Sequence, residues 1–209
     1  MKICRLQDSS FTHADVLELI KESFQQWQEN GLDSVLLRYT PAEYEQNTTD
    51  AVVLVAIDTE SNELIGTTTL APHRSKHEVG GYHKYLAVKP SCKGKGVASQ
   101  LLKSCVEVAK SRDYSYILSN TSVHADWSVR WHKKNGFKII GYYVSTASKY
   151  FCYRFRYQLK SPSIWNSALC AHVAFCASYL KTRAMRRQDG GMTGFGSAVL
   201  KVFRYLKLV

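Results

Sequence analysis

Lysine alternates with glycine at Lys93-Gly94-Lys95-Gly96, and Val97-Ala98 follow. Glycine lets an anion approach the backbone closely. Lysine adds positive charge, and the first N–H groups of a following helix attract phosphate. The stretch therefore reads as a phosphate-binding loop. A P-loop is excluded, because no Gly-x-x-x-x-Gly-Lys-Ser/Thr occurs in the chain. A dinucleotide fingerprint fits poorly: Ser99 stands where a third glycine belongs, and the loop lies mid-chain rather than after a first strand. Outside the loop, residues able to move a proton include His132, Tyr82 and Glu78. An unperturbed imidazole titrates near neutrality, a phenol well above it and a carboxylate well below it.

The elements that must position these residues follow from pattern. Leu86-Ala87-Val88 is an apolar run closed by Pro90, which cannot continue a ladder. After the loop, Val97, Leu101, Leu102, Cys105, Val108 and Ala109 recur at helical spacing, so one helix face is buried. The next apolar segment, Tyr114–Ser119, completes a strand–helix–strand unit and predicts a parallel strand pair. Upstream, Lys2–Leu6 reads as a strand. Thr12 caps a helix that runs to Gly31 and buries Val16, Ile20, Phe24 and Trp27. Thr40-Pro41-Ala42-Glu43 is a capping box opening a second, short helix. Ala51–Ile57, Leu64–Ala71 and Val79–Val88 read as strands, with Asp58–Asn62 a turn and Pro72–Glu78 a loop. Ala125–Asn135 is a helix stopped by Gly136, and Phe137–Tyr143 and Lys149–Leu159 are two further strands, antiparallel to each other.

Lys93-Gly94-Lys95-Gly96-Val97-Ala98 after Leu86-Ala87-Val88 resembles the pyrophosphate motif of the GNAT superfamily, the acyl-CoA-dependent N-acetyltransferases. Lys93 takes the place usually held by Gln or Arg, keeping the charge but losing the fork geometry of arginine. A second stretch, Ser128-Val129-Arg130-Trp131-His132-Lys133-Lys134-Asn135-Gly136-Phe137, resembles the family's later motif. There Ser128 is the small residue, and His132 stands where tyrosine is usual. Ala125 replaces a customary Asn, which puts one cofactor hydrogen bond in doubt. The element order is also that of the GNAT fold, so the resemblance covers residues 1–159. It implies a mixed α/β architecture with a largely antiparallel central sheet flanked by helices.

The resemblance further implies acetyl-CoA as co-substrate and direct transfer to an amine in a ternary complex, without a cysteine nucleophile or a metal. Backbone groups of Leu86, Ala87 and Val88 would pair with the pantetheine arm and polarise the thioester carbonyl. N–H groups across Lys93, Gly94, Lys95, Gly96, Val97 and Ala98 would hold the pyrophosphate. Ser119, Asn120 and Ser128 would line the cofactor cleft. His132 would be the general acid, the alternative being that it only packs its helix. The base would act from the face of Tyr82 through water, with Glu78 the nearest carboxylate. Strand alternation groups Tyr82 with Lys84 and Leu86, and His83 with Tyr85 and Ala87.

Composition frames this reading. The chain has 209 residues, 45% hydrophobic, room for one sizeable domain and an appendage. Its start carries charge at once and has no apolar core of a signal peptide, and no run is long enough to span a bilayer. Six cysteines without framework spacing suit a reduced, cytoplasmic protein. His73 and His77 beside Pro72 do not make a metal pair. Of the net charge of +11, residues 160–209 carry +7, leaving +4 for the rest. That tail combines an apolar helical stripe from Ile164 to Leu180, a glycine-rich linker, and a basic amphipathic segment at 198–209. It reads either as packing on the first domain or across a homodimer, or as a peripheral membrane contact. Nucleic acid is disfavoured, since no aromatic–basic recognition motif accompanies the charge. Two functions stay open: an N-acetyltransferase acting on a small-molecule or protein amine, and a non-catalytic acyl-CoA-binding module that docks through its tail.

Overall fold

The structure is a computed structural model that describes residues 1–29, 32, 34–75, 78–144 and 151–160. The expected tail helices lie outside the described residues. The chain forms two compact units, one of Met1–Ser119 with residues 158–160, the other including Asn120–Tyr157.

In the first unit, β1 (Lys2–Arg5), β2 (Val52–Ile57), β3 (Leu64–Arg74), β4 (Val79–Val88) and the start of β5 (Tyr116–Ser122), as far as Ser119, lie side by side in that order. Pairing is antiparallel through β1, β2, β3 and β4, and parallel between β4 and β5. Every residue of β2 is buried, as its unbroken apolar run requires. Helices cover both faces. On one face, α1 (His13–Glu29) and α2 (Pro41–Thr48) pack Val16, Ile20 and Tyr44 against Val53, Val55 and Ala87. On the other, α3 (Val97–Ser111) lays Val97 and Leu101 over β3 at Gly66, where an added Cβ would lie 2.8 Å from Val97 Cγ1.

Both helix starts follow the expected caps. The Thr12 N–H donates to Asp15 at 2.7 Å, and the Asp15 N–H donates back to Thr12 Oγ1 at 3.3 Å. Thr40 and Glu43 close the same reciprocal box on α2. Two strands differ most in their bounds: β5 spans Tyr116–Ser122 rather than Tyr114–Ser119, and β3 is longer than expected. β3 runs on to Arg74, so most of the loop expected over Pro72–Glu78 is paired strand, with Pro72 opposite Gly81. Pro72 is tolerated because β2 flanks β3 only as far as Leu70, so among the described residues no strand pairs with that edge of β3 beyond it.

The second unit holds the end of β5 from Asn120, α4 (Asp126–Lys134), β6 (Lys138–Val144) and β7 (Phe151–Gln158) up to Tyr157. β6 and β7 are antiparallel, and β7 lies between β6 and the last residues of β5, where the Val123 N–H donates to Phe151 O at 3.0 Å. The seven strands are thus largely antiparallel, as expected.

Candidate active site

The site is built on a parting of strands. β4 and β5 pair only at Gly81↔Ile117 and Tyr82↔Leu118. From Lys84 to Val88, β4 has no strand beside it on the β5 side among the described residues, and the Val88 N–H donates to Ser23 Oγ of α1 at 3.3 Å. A β-bulge marks the same place: Thr67 faces Ala87 and Thr69 faces Lys84, so one extra residue is accommodated in β4 opposite Thr68. Tyr85 carries it, with φ of +54°, a conformation that costs a bulky residue energy.

The bulge changes which side chains share a face. Alternation expected Tyr85 and Ala87 beside His83; the structure places them with Lys84 instead. Ala87 sits in the α1–α2 core, and Tyr85 packs on Tyr44, ring centroids 5.7 Å apart. His83 points to the α3 face, 3% exposed, with Nε2 at 2.7 Å from Thr68 Oγ1. Leu86 is half-buried at the bulge, while Ala87 and Val88 are buried.

Beyond Val88, a single turn at Pro90–Cys92 leads into the loop. Gly94 and Gly96 have φ of +79° and +83°, and an added Cβ on either would meet nothing within 4 Å. Gly96 is the N-cap of α3 and offers no side-chain cap. The N–H groups of Gly94, Gly96, Val97 and Ala98 make no hydrogen bond within the described chain. Lys93 and Lys95 are exposed beside them. Unpaired N–H groups at the positive end of a 15-residue helix, with lysines alongside, suit a pyrophosphate.

The expected proton carriers fare differently. Tyr82 stands at the last β4–β5 pair, half-buried, where the strands begin to part. Glu78 does not join it. It sits at the β3–β4 turn, its N–H bonded to Ser75 Oγ at 3.1 Å. At about 3.3 Å per residue, that is ~23 Å along the strand from Tyr85.

His132 is 4% exposed in the second unit, stacked on Phe155 at 4.5 Å and edge-on to Phe137. Burial pulls its pKa down to about 4, although Nδ1 lies 2.7 Å from Ser128 O, a bond that favours the charged form. The ring is neutral at pH 7 with Nδ1 protonated. A neutral ring with that proton committed to a carbonyl is a poor acid, so its chemistry matches the packing alternative better than the acid role. The Ser128 carbonyl takes that contact, and its Oγ lies 3.5 Å from the same Nδ1. Ala125 caps α4 without a side-chain hydrogen bond. Asn120 lies within β5, half-buried.

What residue types alone did not bring forward is a hydroxyl-rich aromatic face around Lys84. Its ammonium lies 5.9 Å from the Tyr82 ring centroid and 5.7 Å from that of Tyr85. Tyr44 Oη is 3.5 Å from Thr69 Oγ1 on the facing strand, and burial raises its pKa to about 12. Burial also raises that of Tyr85, which is hydrogen-bonded to Tyr39. The available signal was Tyr82-His83-Lys84-Tyr85 itself, an aromatic–basic strand beside a phosphate loop. Among the described residues no group of His, Cys, Asp and Glu could hold a metal ion, and Cys4, Cys92, Cys105 and Cys152 are free thiols.

A mostly antiparallel sheet, a bulged fourth strand parting from the fifth, and a glycine loop capping the next helix together define an acyl-CoA-type transferase fold. Residues 14–137 match the Acetyltransferase (GNAT) family, and the chain belongs to it. A phosphinothricin N-acetyltransferase of Streptomyces coelicolor is 28% identical over 97 residues, 46% of this chain and 57% of that protein. The chain thus matches little more than half the length of this curated relative. Among solved structures, a GNAT-family acetyltransferase of Staphylococcus aureus superposes with a TM-score of 0.60 at 18% identity, covering 76% of this chain and 99% of that one. A GNAT-family acetyltransferase of Elizabethkingia anophelis with acetyl-CoA bound gives 0.57 at 19%, covering 76% and 97%. These likenesses concern the fold. Among the described residues no helix is long and apolar enough to cross a membrane.

Proposed function

We propose that the protein is an N-acetyltransferase that moves the acetyl group of acetyl-CoA to a primary amine by direct attack. The observation that carries this reading is the conjunction of the parted β4 edge with the unpaired N–H groups of Gly94, Gly96, Val97 and Ala98 at the start of α3. When bound, acetyl-CoA supplies a thioester carbonyl. The N–H groups of the loop hold its pyrophosphate, and the edge of β4 that β5 leaves uncovered before Val88 orients its amide-bearing arm. A backbone N–H from that edge polarises the carbonyl.

The acceptor nitrogen forms the new C–N bond as the C–S bond breaks. The proton lost by the amine leaves through water, and the departing sulfur takes up a proton. Of the expected proton carriers, the geometry favours Tyr82, because it stands where the strands part. The acceptor is an amine on a small molecule or a protein; the relative named for phosphinothricin favours the former.

The test is initial-rate kinetics of CoA release with acetyl-CoA and a panel of primary amines. Intersecting double-reciprocal lines are expected. Parallel lines would mean a covalent acyl-enzyme and would contradict direct attack. The non-catalytic alternative draws support from one observation, the neutral, buried His132; saturable acetyl-CoA binding with no amine-dependent release would favour it.

A further inference from the structure

Lys84 is half-buried, and desolvation lowers its pKa. Its ammonium has no ion pair or hydrogen bond among the described residues; its contacts are the faces of Tyr82 and Tyr85. Among the described residues no acid of the helices covering this face forms an ion pair with Lys84. Asp15 and Glu43 serve the caps of Thr12 and Thr40, and Glu45 lies 3.9 Å from His13 Nδ1. A lysine partly withdrawn from water without a counter-charge is costly, and an isolated cation in such a place is commonly compensated by what binds there.

The position matters as much as the charge. Lys84 follows by two residues the last β4–β5 pair, at Tyr82, and directly precedes the bulge at Tyr85. It therefore stands at the mouth of the parted strands, where an acceptor must enter. The rings of Tyr82 and Tyr85 face its ammonium, and Tyr44 and Tyr39 contact Tyr85 in turn, so the neighbourhood is one of rings and hydroxyl groups. Such a face offers nothing to neutralise a cationic substituent and one ammonium to receive an anionic one.

We infer that Lys84 determines acceptor specificity: the Tyr82–Lys84–Tyr85 face receives a primary amine that also carries an oxyanion, such as the carboxylate of an amino acid. The inference rests on the acetyltransferase reading. The oxyanion pairs with the ammonium of Lys84 while the amine projects toward the bulge, and the tyrosine rings pack the intervening carbon chain. A polyamine or an aminoglycoside, with several positive charges, meets Lys84 as a like charge and is rejected.

The test compares matched acceptors on the full chain with acetyl-CoA: free amino acids, the corresponding amino-acid amides, aminoalkylphosphonates, and a polyamine. Carboxylate and phosphonate arms distinguish which oxyanion the face accepts. Free acids should exceed their amides in kcat/KM by about tenfold or more, through KM. K84M should erase that preference, K84R should restore part of it, and K84E should turn it toward the polyamine. Equal use of acids and amides by the wild type would overturn the inference. So would a K84M variant that loses kcat equally for every acceptor, since Lys84 would then act on the chemistry rather than on selection. Failure of the wild type to bind acetyl-CoA in calorimetry would instead sink the acetyltransferase reading itself, so the two failures are told apart.

Discussion

His132 shows how far environment can move a residue from the role its type suggests. Its folded pKa of about 4 lies below the ordinary 6.5, because the ring is buried among aromatic side chains. A depressed folded pKa means the native state resists protonation. The stability it contributes is complete above about pH 6.5 and is lost as pH falls toward 4, about 3 kcal/mol in all. His132→Phe keeps an aromatic ring in place and should flatten this acid dependence in urea titrations run between pH 4 and 7. An unchanged slope would mean that the ring is not buried as described. For catalysis, the rate should show no ionisation assignable to His132 between pH 6 and 8, and the same variant's pH profile of kcat/KM checks that. The residue's type and spacing were plain in the sequence. Its burial was not, because Phe155 and Phe137 reach it from other elements.

Elements carry the next level of constraint, and Gly66 is the sharpest case. Its missing Cβ lets α3 close on β3, and an added methyl would lie 2.8 Å from Val97 Cγ1 and 3.3 Å from Ala87 O. Valine is stiff at χ1 and the carbonyl belongs to a paired strand, so neither yields easily. Gly66→Ala should cost about 1–3 kcal/mol in chemical denaturation. Because Val97 opens α3, the variant should also weaken acetyl-CoA binding by displacing the N–H groups of the loop. A stable variant with unaltered affinity would contradict this coupling. Thr40→Ala, at the cap of α2, should cost about 1 kcal/mol and leave acetyl-CoA affinity alone.

These elements were largely legible in sequence: both capping boxes, the buried β2 run and the periodic face of α3 appear where pattern put them. The bulge at Tyr85 was not. Period-two alternation has no signal for an extra residue, and a tyrosine at φ of +54° gives none of the warning a glycine would. One missed residue moved Ala87 to the opposite face and hid the environment of Lys84. The end of β3 was misjudged for a related reason, since Pro72 reads as a breaker unless the end of β2 pairing at Leu70 is known.

On the scale of the whole molecule, charge and topology act together. The chain carries a net +11, and the loop proposed to receive the phosphates sets Lys93 and Lys95 beside the positive end of α3. Acetyl-CoA is strongly anionic, so part of its affinity is electrostatic and must be screened by salt. Raising ionic strength from about 0.05 M to about 0.5 M should increase its Kd several-fold in calorimetric titrations. A salt-independent Kd would mean that the lysines do not reach the phosphates. The central claim is that the Gly94–Ala98 turn is a pyrophosphate site, and acetyl-CoA calorimetry on the wild type and on Gly96→Glu tests it most directly. A carboxylate on Gly96 would point into the open space where the phosphates are to lie, and a side chain at φ of +83° is strained as well. Saturable binding to the wild type, weakened about a hundredfold or more in a variant that still unfolds cooperatively, is the predicted result. Absence of binding to the wild type, or equal binding by both proteins, would contradict it.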